Sequence, residues 1–291
     1  MTVKPIISAY RRMIRDLEFD VAELAPVTYV MAREAGIPLI AIPVFINRKF
    51  HHSDIVCGPK SGIRAPKDLE GKEVGVRAFS VSTGVWGRGL LAEQYGVDIE
   101  SITWVVDDDD HIQGKEPANQ RRVTDDRSLE SLLLADELGA AFSGNAGTGR
   151  AGAPREGWTE TAPADTEEAA SYPLFPDAKV LERDWFLRTG VYPLHSVIVI
   201  RSELAERAPE LPTELYAALV RSKQKYLAED PTWAQQPRLA RQAAQVGGDP
   251  VPYGAEPNQP SIDALVRYSA EQGLISNRPT ALFAPGDYPV G

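Results

Sequence analysis

A loop of small hydroxyl residues stands between an apolar run and a helical pattern in the first third of the chain. Its candidate ligand-binding residues are Ser80, Ser82, Thr83 and Gly84. The first N–H groups of a helix have no partner inside the helix and lie at the positive end of its dipole, so they bind carboxylates and phosphates. The loop therefore predicts an anion-binding helix start. Ser and Thr are also common helix caps, and this alternative stays open.

Two adjacent histidines and an arginine occupy a second candidate loop, at residues 47–53. A neutral histidine is a general base near pH 7, so His51 and His52 are candidates for proton transfer. Arg48 is a candidate carboxylate ligand, because a guanidinium forms two parallel hydrogen bonds with a carboxylate. Adjacent side chains of an extended segment point to opposite sides, so the two histidines are unsuited to hold one metal ion together. A loop that only faces solvent is the alternative.

Single residues elsewhere are weaker candidates. His195 precedes the apolar run 197–200, where we expect the chain to cross between two lobes, and its alternative role is structural. Trp86 is a candidate for stacking on an aromatic ligand, and its alternative role is core packing. Glu23 ends a predicted strand and is a candidate ligand-binding residue, and its alternative role is to cap the following helix. The acidic run 107–110 offers oxygen ligands for a metal ion, but it lacks the spacing of a calcium loop and is more typical of a solvated loop.

Strand and helix patterns alternate along the chain, which predicts an α/β fold with mainly parallel sheets covered by helices. We predict strands at residues 19–24, 38–45, 55–57, 73–76, 102–106, 139–142 and 197–200. Helical spacing predicts helices at residues 5–18, 27–34, 83–95, 128–137, 212–228 and 261–272. The Gly- and Pro-rich stretches 144–170 and 231–260 predict surface segments, the second with a short helix at 238–246.

Composition limits the classes of partner. The 291 residues suit two lobes or one large domain. A net charge of −10 opposes binding to nucleic acid, which needs a basic face. No apolar run reaches the roughly 18 residues of a membrane span. The single cysteine, Cys57, excludes an internal disulfide and a multi-cysteine metal site. Residues 1–6 lack the layout of a secretory signal, so we expect a cytoplasmic protein, or a periplasmic one if an upstream signal peptide is missing.

Several segments together resemble the 4,5-dihydroxyphthalate decarboxylase family. They are residues 19–24, 41–45, 50–53, 61–63, 68–76, 83–89, 93–97 and 190–195. The resemblance implies a two-lobed fold similar to type II periplasmic binding proteins, with a hinge between lobe I (residues 1–64 and 191–291) and lobe II (residues 65–190). Relatives have an opening strand and helix before the segment that matches residues 3–6, so we expect either an absent strand or a misassigned start.

The resemblance also implies a function: cofactor-independent decarboxylation of a hydroxylated aromatic carboxylic acid that resembles 4,5-dihydroxyphthalate. His51 or His52 would transfer one proton and His195 another, while the helix start, with Arg48 or Arg88, would anchor a carboxylate. Since members of this fold often bind ligands without catalysis, a substrate-binding protein of the ABC-transporter type for a small organic anion is the alternative. We expect no cofactor, although a divalent metal is not excluded, and a homo-oligomer stays open.

Overall fold

The computed structural model describes residues 6–125, 127–149 and 171–291. In chain order, the helices and strands are α1 (Ile6–Asp16), β1 (Val21–Leu24), α2 (Pro26–Glu34), β2 (Leu39–Ile42), β3 (Ile55–Cys57), β4 (Glu73–Gly75), α3 (Ser82–Tyr95), β5 (Thr103–Val106), β6 (Gln120–Arg122), α4 (Leu129–Leu134), β7 (Ala140–Phe142), β8 (Tyr172–Pro173), α5 (Ala178–Thr189), β9 (Val197–Arg201), α6 (Ser202–Arg207), α7 (Leu211–Glu229), α8 (Pro237–Val246) and α9 (Gln259–Glu271). The predicted surface segment at residues 144–170 lies mostly outside the described residues.

Two compact units divide the chain. Unit 1 comprises Met1–Phe50 and Lys179–Gly291, and unit 2 comprises His51–Ala178. These limits differ from the predicted lobe limits, which followed residues 64 and 190. The reason is that β3 pairs with β7 and β8 in unit 2, while nearly all of α5 belongs to unit 1.

Unit 1 contains a three-stranded sheet in the order β1-β9-β2. β1 and β2 are joined through α2 and run in the same direction, as a βαβ pattern predicts. β9 lies between them and is antiparallel to both. The prediction of mainly parallel sheets is therefore wrong for unit 1, because the local pattern of a late strand does not fix the direction in which it pairs. One face of this sheet packs on Tyr216 of α7 through Ile42 and Ile200.

Unit 2 contains a mixed sheet in the order β6-β5-β4-β7-β3-β8. The strands β4 to β7 pair in parallel, whereas β3 is antiparallel to both β7 and β8. The α/β class is confirmed, with mixed rather than mainly parallel sheets. A Cβ on Gly87 would lie 2.4 Å from the ring of Phe142, so glycine at this position allows α3 to approach β7 closely.

The strand directions of unit 2 bring several loops to one edge of the sheet. The carboxyl ends of β4, β5 and β7 meet there, together with the amino end of the antiparallel β3. Ligands of α/β proteins bind at such carboxyl ends. We call this the carboxyl-end edge of unit 2, and it is formed by residues 51–54, 76–84, 107–110 and 143–148. Among the described residues, no helix combines the length and apolar character that crossing a membrane requires.

Candidate functional site

The first turn of α3 lies on the carboxyl-end edge of unit 2. Its N-cap residue is Val81, which provides no side-chain cap, and Ser82 is the first helical residue. The interpretation that Ser82 or Thr83 only caps the helix is therefore wrong. The Ser82 hydroxyl is buried and has no hydrogen-bond partner in the described part of the chain. A buried hydroxyl without a partner costs stability, which is typical of a position kept for a ligand.

A carboxylate of the protein occupies the loop just before α3. The backbone N–H and the hydroxyl of Ser80 both donate to Oδ1 of Asp110, at 2.7 and 2.6 Å. Burial raises the pKa of Asp110, and the hydrogen bonds of Ser80 and the charges of Arg88 and Arg77 oppose this rise. Ser80 therefore contacts a carboxylate, as predicted for its ligand, but this carboxylate belongs to residue 110.

The other acids of the run 107–110 are also engaged. Asp108 forms a buried ion pair with Arg77 at 3.0 Å, and the more exposed Asp109 pairs with Arg122. Asp107 and Asp108 are buried, so the expectation of a solvated loop is wrong for them. Among the described residues, no group of three or more His, Cys, Asp or Glu side chains has the arrangement of a metal site.

Arg88 lies beneath the first turn of α3. It is fully buried, donates a hydrogen bond to the carbonyl of Phe79, and stacks on the Phe79 ring at 3.8 Å from the centroid. Burial lowers the pKa of Arg88 to about 9, which leaves the guanidinium charged at neutral pH. A Cβ on Gly84 would lie 3.1 Å from Arg88 Nη1. The positive charge therefore lies close to the helix start. Trp86 is buried in the core, as its alternative interpretation held.

His51 is paired with a carboxylate. Its Nδ1 lies 2.8 Å from Oδ2 of Asp54, and both side chains are buried. When the imidazole is neutral, Nδ1–H donates to Asp54 and Nε2 carries the basic lone pair. The carbonyl of Asp54 accepts a hydrogen bond from the N–H of Ser143, which follows β7 on the same edge. This is the arrangement of an oriented general base.

His52 has a different environment. Its ring contacts Phe175 and Tyr95 edge-on, at centroid distances of 5.3 and 6.2 Å. Burial, followed by the charge of His51, lowers the pKa of His52 to about 4. Tyr95 is in the last turn of α3, and the 14-residue helix separates it from Ser82 by about 20 Å. His52 is therefore a poor proton acceptor at neutral pH.

Arg48 lies in unit 1 and is held by neutral groups. Its guanidinium donates to Oδ1 of Asn258 at 2.6 Å, to Oγ of Ser261 at 3.1 Å and to the carbonyl of Tyr192. It also stacks on the Tyr192 ring, at 4.5 Å from the centroid. Burial lowers the pKa of Arg48 to about 10, so it stays charged at neutral pH. These contacts fix the loop after β2, and a role of Arg48 as carboxylate ligand stays a prediction.

The two remaining candidates also lie in unit 1. The backbone N–H of His195 donates to the carbonyl of Asn47 at 2.9 Å, just before β9. Glu23 lies on β1 and accepts a hydrogen bond from the hydroxyl of Tyr10 at 3.2 Å. A catalytic role of His195 and a ligand-binding role of Glu23 stay predictions.

Sequence reasoning missed Asp54 and Arg77 on the carboxyl-end edge, and it considered Asp110 only as a metal ligand in the run 107–110. The spacing of His51 and Asp54 is a local signal, because residues three apart share one helical turn. Asp110 is 30 residues from Ser80, and no local pattern indicates such a contact.

Comparison with known proteins gives the family context. The chain is 29% identical to a 4,5-dihydroxyphthalate decarboxylase of Comamonas testosteroni, over 94% of this chain and 84% of that protein. A protein of the same name from Pseudomonas putida is 37% identical over 95 residues, which cover 32% of this chain and 37% of that protein. The resemblance to 4,5-dihydroxyphthalate decarboxylases is confirmed.

The chain is also similar to a second group of proteins. Residues 2–135 match the family model for the periplasmic substrate-binding protein of phosphonate ABC transporters. A periplasmic sulfonate-binding protein, SsuA, from Methylobacillus flagellatus KT superposes with a TM-score of 0.50, over 95% of this chain and 75% of that chain, at 12% identity. The type II periplasmic-binding-protein-like fold is thereby confirmed.

Proposed function

We propose that this protein decarboxylates a hydroxylated aromatic carboxylic acid that resembles 4,5-dihydroxyphthalate and releases CO₂. The observation that carries the proposal is the buried His51–Asp54 pair, on the same sheet edge as the start of α3. Similarity to a decarboxylase over 94% of the chain supports the substrate class.

The substrate activates itself once it loses a hydroxyl proton. In 4,5-dihydroxyphthalate, each ring hydroxyl is para to a carboxylate-bearing carbon, so a phenolate pushes electron density to that carbon. The carbon takes up a proton supplied from solvent, the bond to the carboxylate breaks, and its electron pair restores the aromatic ring as CO₂ leaves. The phenolate then recovers its proton. One carboxylate is replaced by hydrogen, and one proton is consumed.

His51 is the base that removes the hydroxyl proton. Its Nε2 is the basic nitrogen when Nδ1–H donates to Asp54, and the carboxylate of Asp54 stabilises the imidazolium that forms. The same imidazolium returns the proton to the phenolate. This general-base step is the kind of contribution that supplies about 10²–10⁴-fold in rate.

The first turn of α3 anchors the carboxylate that is not lost. Its first N–H groups and the Ser82 hydroxyl donate to this carboxylate, and the charge of Arg88 adds to the positive potential of the helix start. This assigns the predicted ligand, a small aromatic anion, to the residues predicted for it in unit 2.

A binding protein without catalytic activity is the second candidate function. The match of residues 2–135 to a family of periplasmic substrate-binding proteins favours it. In that case the helix start captures an organic anion for uptake or sensing, and the His51–Asp54 pair has a structural role.

A ligand panel separates the two functions. The purified protein is incubated with hydroxylated aromatic monocarboxylates and dicarboxylates, including 4,5-dihydroxyphthalate, and both thermal stabilisation and CO₂ release are followed. Release of CO₂ identifies a decarboxylase, and stabilisation without release identifies a binding protein. If the protein shows neither stabilisation nor release, the proposed ligand class is wrong. Dialysis against a chelator should leave the release unchanged, because no cofactor is expected. The cytoplasmic location stays a prediction, which fractionation of the native cells tests.

A further inference from the structure

Asp110 occupies the edge of the proposed anion site. Its Oδ1 accepts both hydrogen bonds that Ser80 donates, two residues before the first residue of α3. Ser82, at that first residue, is 3% exposed, and its hydroxyl has no partner in the described residues. One carboxylate, that of Asp110, thus lies beside the first turn of α3. The buried hydroxyl of Ser82 is a donor for which the described residues supply no acceptor.

A second carboxylate on this turn would lie beside Asp110. Two adjacent ionised carboxylates repel each other, and such pairs share one proton because the second ionisation is strongly disfavoured. Burial already raises the pKa of Asp110 in the unliganded protein. The charged form of Asp110 is therefore already disfavoured by burial before a ligand carboxylate arrives.

The surrounding charges do not cancel this repulsion. From the loop after β4, Arg77 faces Asp110, but its guanidinium is paired with Asp108 at 3.0 Å. From α3, Arg88 faces Asp110 and also lies beneath the anion site. On the acidic run itself, Asp109 is paired with Arg122 of β6. Among the described residues, Arg88 is therefore the cation that lies near both Asp110 and the first turn of α3.

We propose that Asp110 takes up a proton when a carboxylate ligand binds at the first turn of α3, so that the protein binds its anion together with one proton. The inference rests on the carboxylate-anchoring part of the proposed function and does not depend on decarboxylation. Protonated Asp110 keeps Oδ1 as the acceptor of Ser80 and donates its O–H to the ligand carboxylate. The affinity then falls as the pH rises, by up to about tenfold per pH unit between the pKa of Asp110 in the free and in the bound protein.

Calorimetry with phthalate tests the proton uptake. Phthalate carries both carboxylates but no ring hydroxyl, so it cannot form the phenolate that drives CO₂ loss. Titrations at pH 7 in two buffers of different ionisation enthalpy give the number of protons taken up. We expect close to one proton for the wild type and for Asp109→Asn, a matched control that removes a neighbouring charge. Asp110→Asn keeps an acceptor for Ser80 and should show uptake near zero, with phthalate affinity at pH 8 raised by at least about tenfold.

The outcomes separate this inference from the decarboxylase proposal. Equal proton uptake in Asp110→Asn and wild type would overturn the role of Asp110, as would no uptake in the wild type or no phthalate binding by either protein. Proton-linked phthalate binding that disappears in Asp110→Asn, together with no CO₂ release from 4,5-dihydroxyphthalate, would support the inference and refute the enzyme. Circular dichroism of the variants shows that the fold is retained.

Discussion

In unit 1 the buried guanidinium of Arg48 is held by neutral oxygens, whereas in unit 2 the buried guanidinium of Arg77 faces the carboxylate of Asp108. In unit 2, His51 is also paired with a buried carboxylate, that of Asp54. Both arginines donate hydrogen bonds, but of the two only Arg77 has a carboxylate as a direct partner.

This difference indicates how the two units divide their tasks. Neutral acceptors satisfy the guanidinium of Arg48 without an ionised direct partner, and Asp249 acts on Arg48 only through its charge. On the carboxyl-end edge of unit 2, the imidazole of His51 lies within hydrogen-bond distance of the carboxylate of Asp54. We therefore expect mutations of unit 2 to change chemistry and binding, and mutations around Arg48 to change stability.

The largest expected effect is at His51. His51→Gln should lower kcat for CO₂ release from 4,5-dihydroxyphthalate by about 10²–10⁴-fold, because the general base is lost while a hydrogen bond to Asp54 is retained. Phthalate affinity should change by no more than about threefold. Near-normal turnover would remove the proposed role of His51. His195→Gln is the matching test in unit 1. A loss of kcat as large as that of His51→Gln would contradict the expectation that only mutations in unit 2 change the chemistry.

The next effect concerns the two buried arginines. Arg77→Met should lower the free energy of unfolding by about 3–5 kcal/mol, because the Asp108 carboxylate stays buried without this cation. Arg48→Met should lower it by about 2–3 kcal/mol, because only neutral acceptors lose their donor. Urea unfolding at pH 7 measures both values. If the order is reversed, or if Arg48→Met abolishes phthalate binding without loss of stability, Arg48 is a ligand rather than an anchor.

A third effect depends on pH and arises at His52. Its pKa is lowered from 6.5 to about 4, so between these values the unfolded chain binds a proton that the folded protein excludes. Stability is therefore lost as the pH falls from about 6.5 towards 4, and we expect a loss of about 2 kcal/mol at pH 5 relative to pH 7. His52→Phe fits the contacts with Phe175 and Tyr95 and should remove this part of the loss. Urea unfolding of both proteins at pH 7 and pH 5 measures the loss of stability. Equal losses in the two proteins would contradict the prediction that His52 is buried in its neutral form.

The smallest effect compares two buried hydroxyls. Neither Ser82 of unit 2 nor Ser196 of unit 1 has a hydrogen-bond partner for its hydroxyl in the described residues. Either serine should be replaceable by alanine without loss of thermal stability, since no hydrogen bond is broken. Ser82→Ala should weaken phthalate binding about fivefold in calorimetry, and Ser196→Ala should leave it unchanged. Equal effects of the two substitutions would remove the distinction between a ligand-binding hydroxyl and a merely buried one.

Local sequence signals located most of the regular elements. The bounds of α3 were predicted at residues 83–95 and observed at Ser82–Tyr95, because a glycine after the last turn ends the helix in the left-handed conformation. The strands β6 and β8 and the helices α5 and α6 were missed. β6 is a polar edge strand with the sequence Gln-Arg-Arg, and α5 exposes Val180 and Leu187, so neither has the hydrophobic periodicity on which such predictions depend.

By itself, the sequence determined the alternation of strands and helices, the hydroxyl-rich helix start and the pair of histidines, because each is a pattern of neighbouring residues. The tertiary structure alone decided that β9 runs antiparallel to β1 and β2, that Asp110 reaches Ser80, and that burial lowers the pKa of His52. Strand direction and charge pairing depend on residues far apart in the chain, and a pKa depends on what surrounds a side chain after folding. For that reason the helix start was found in advance, and the carboxylate beside it was not.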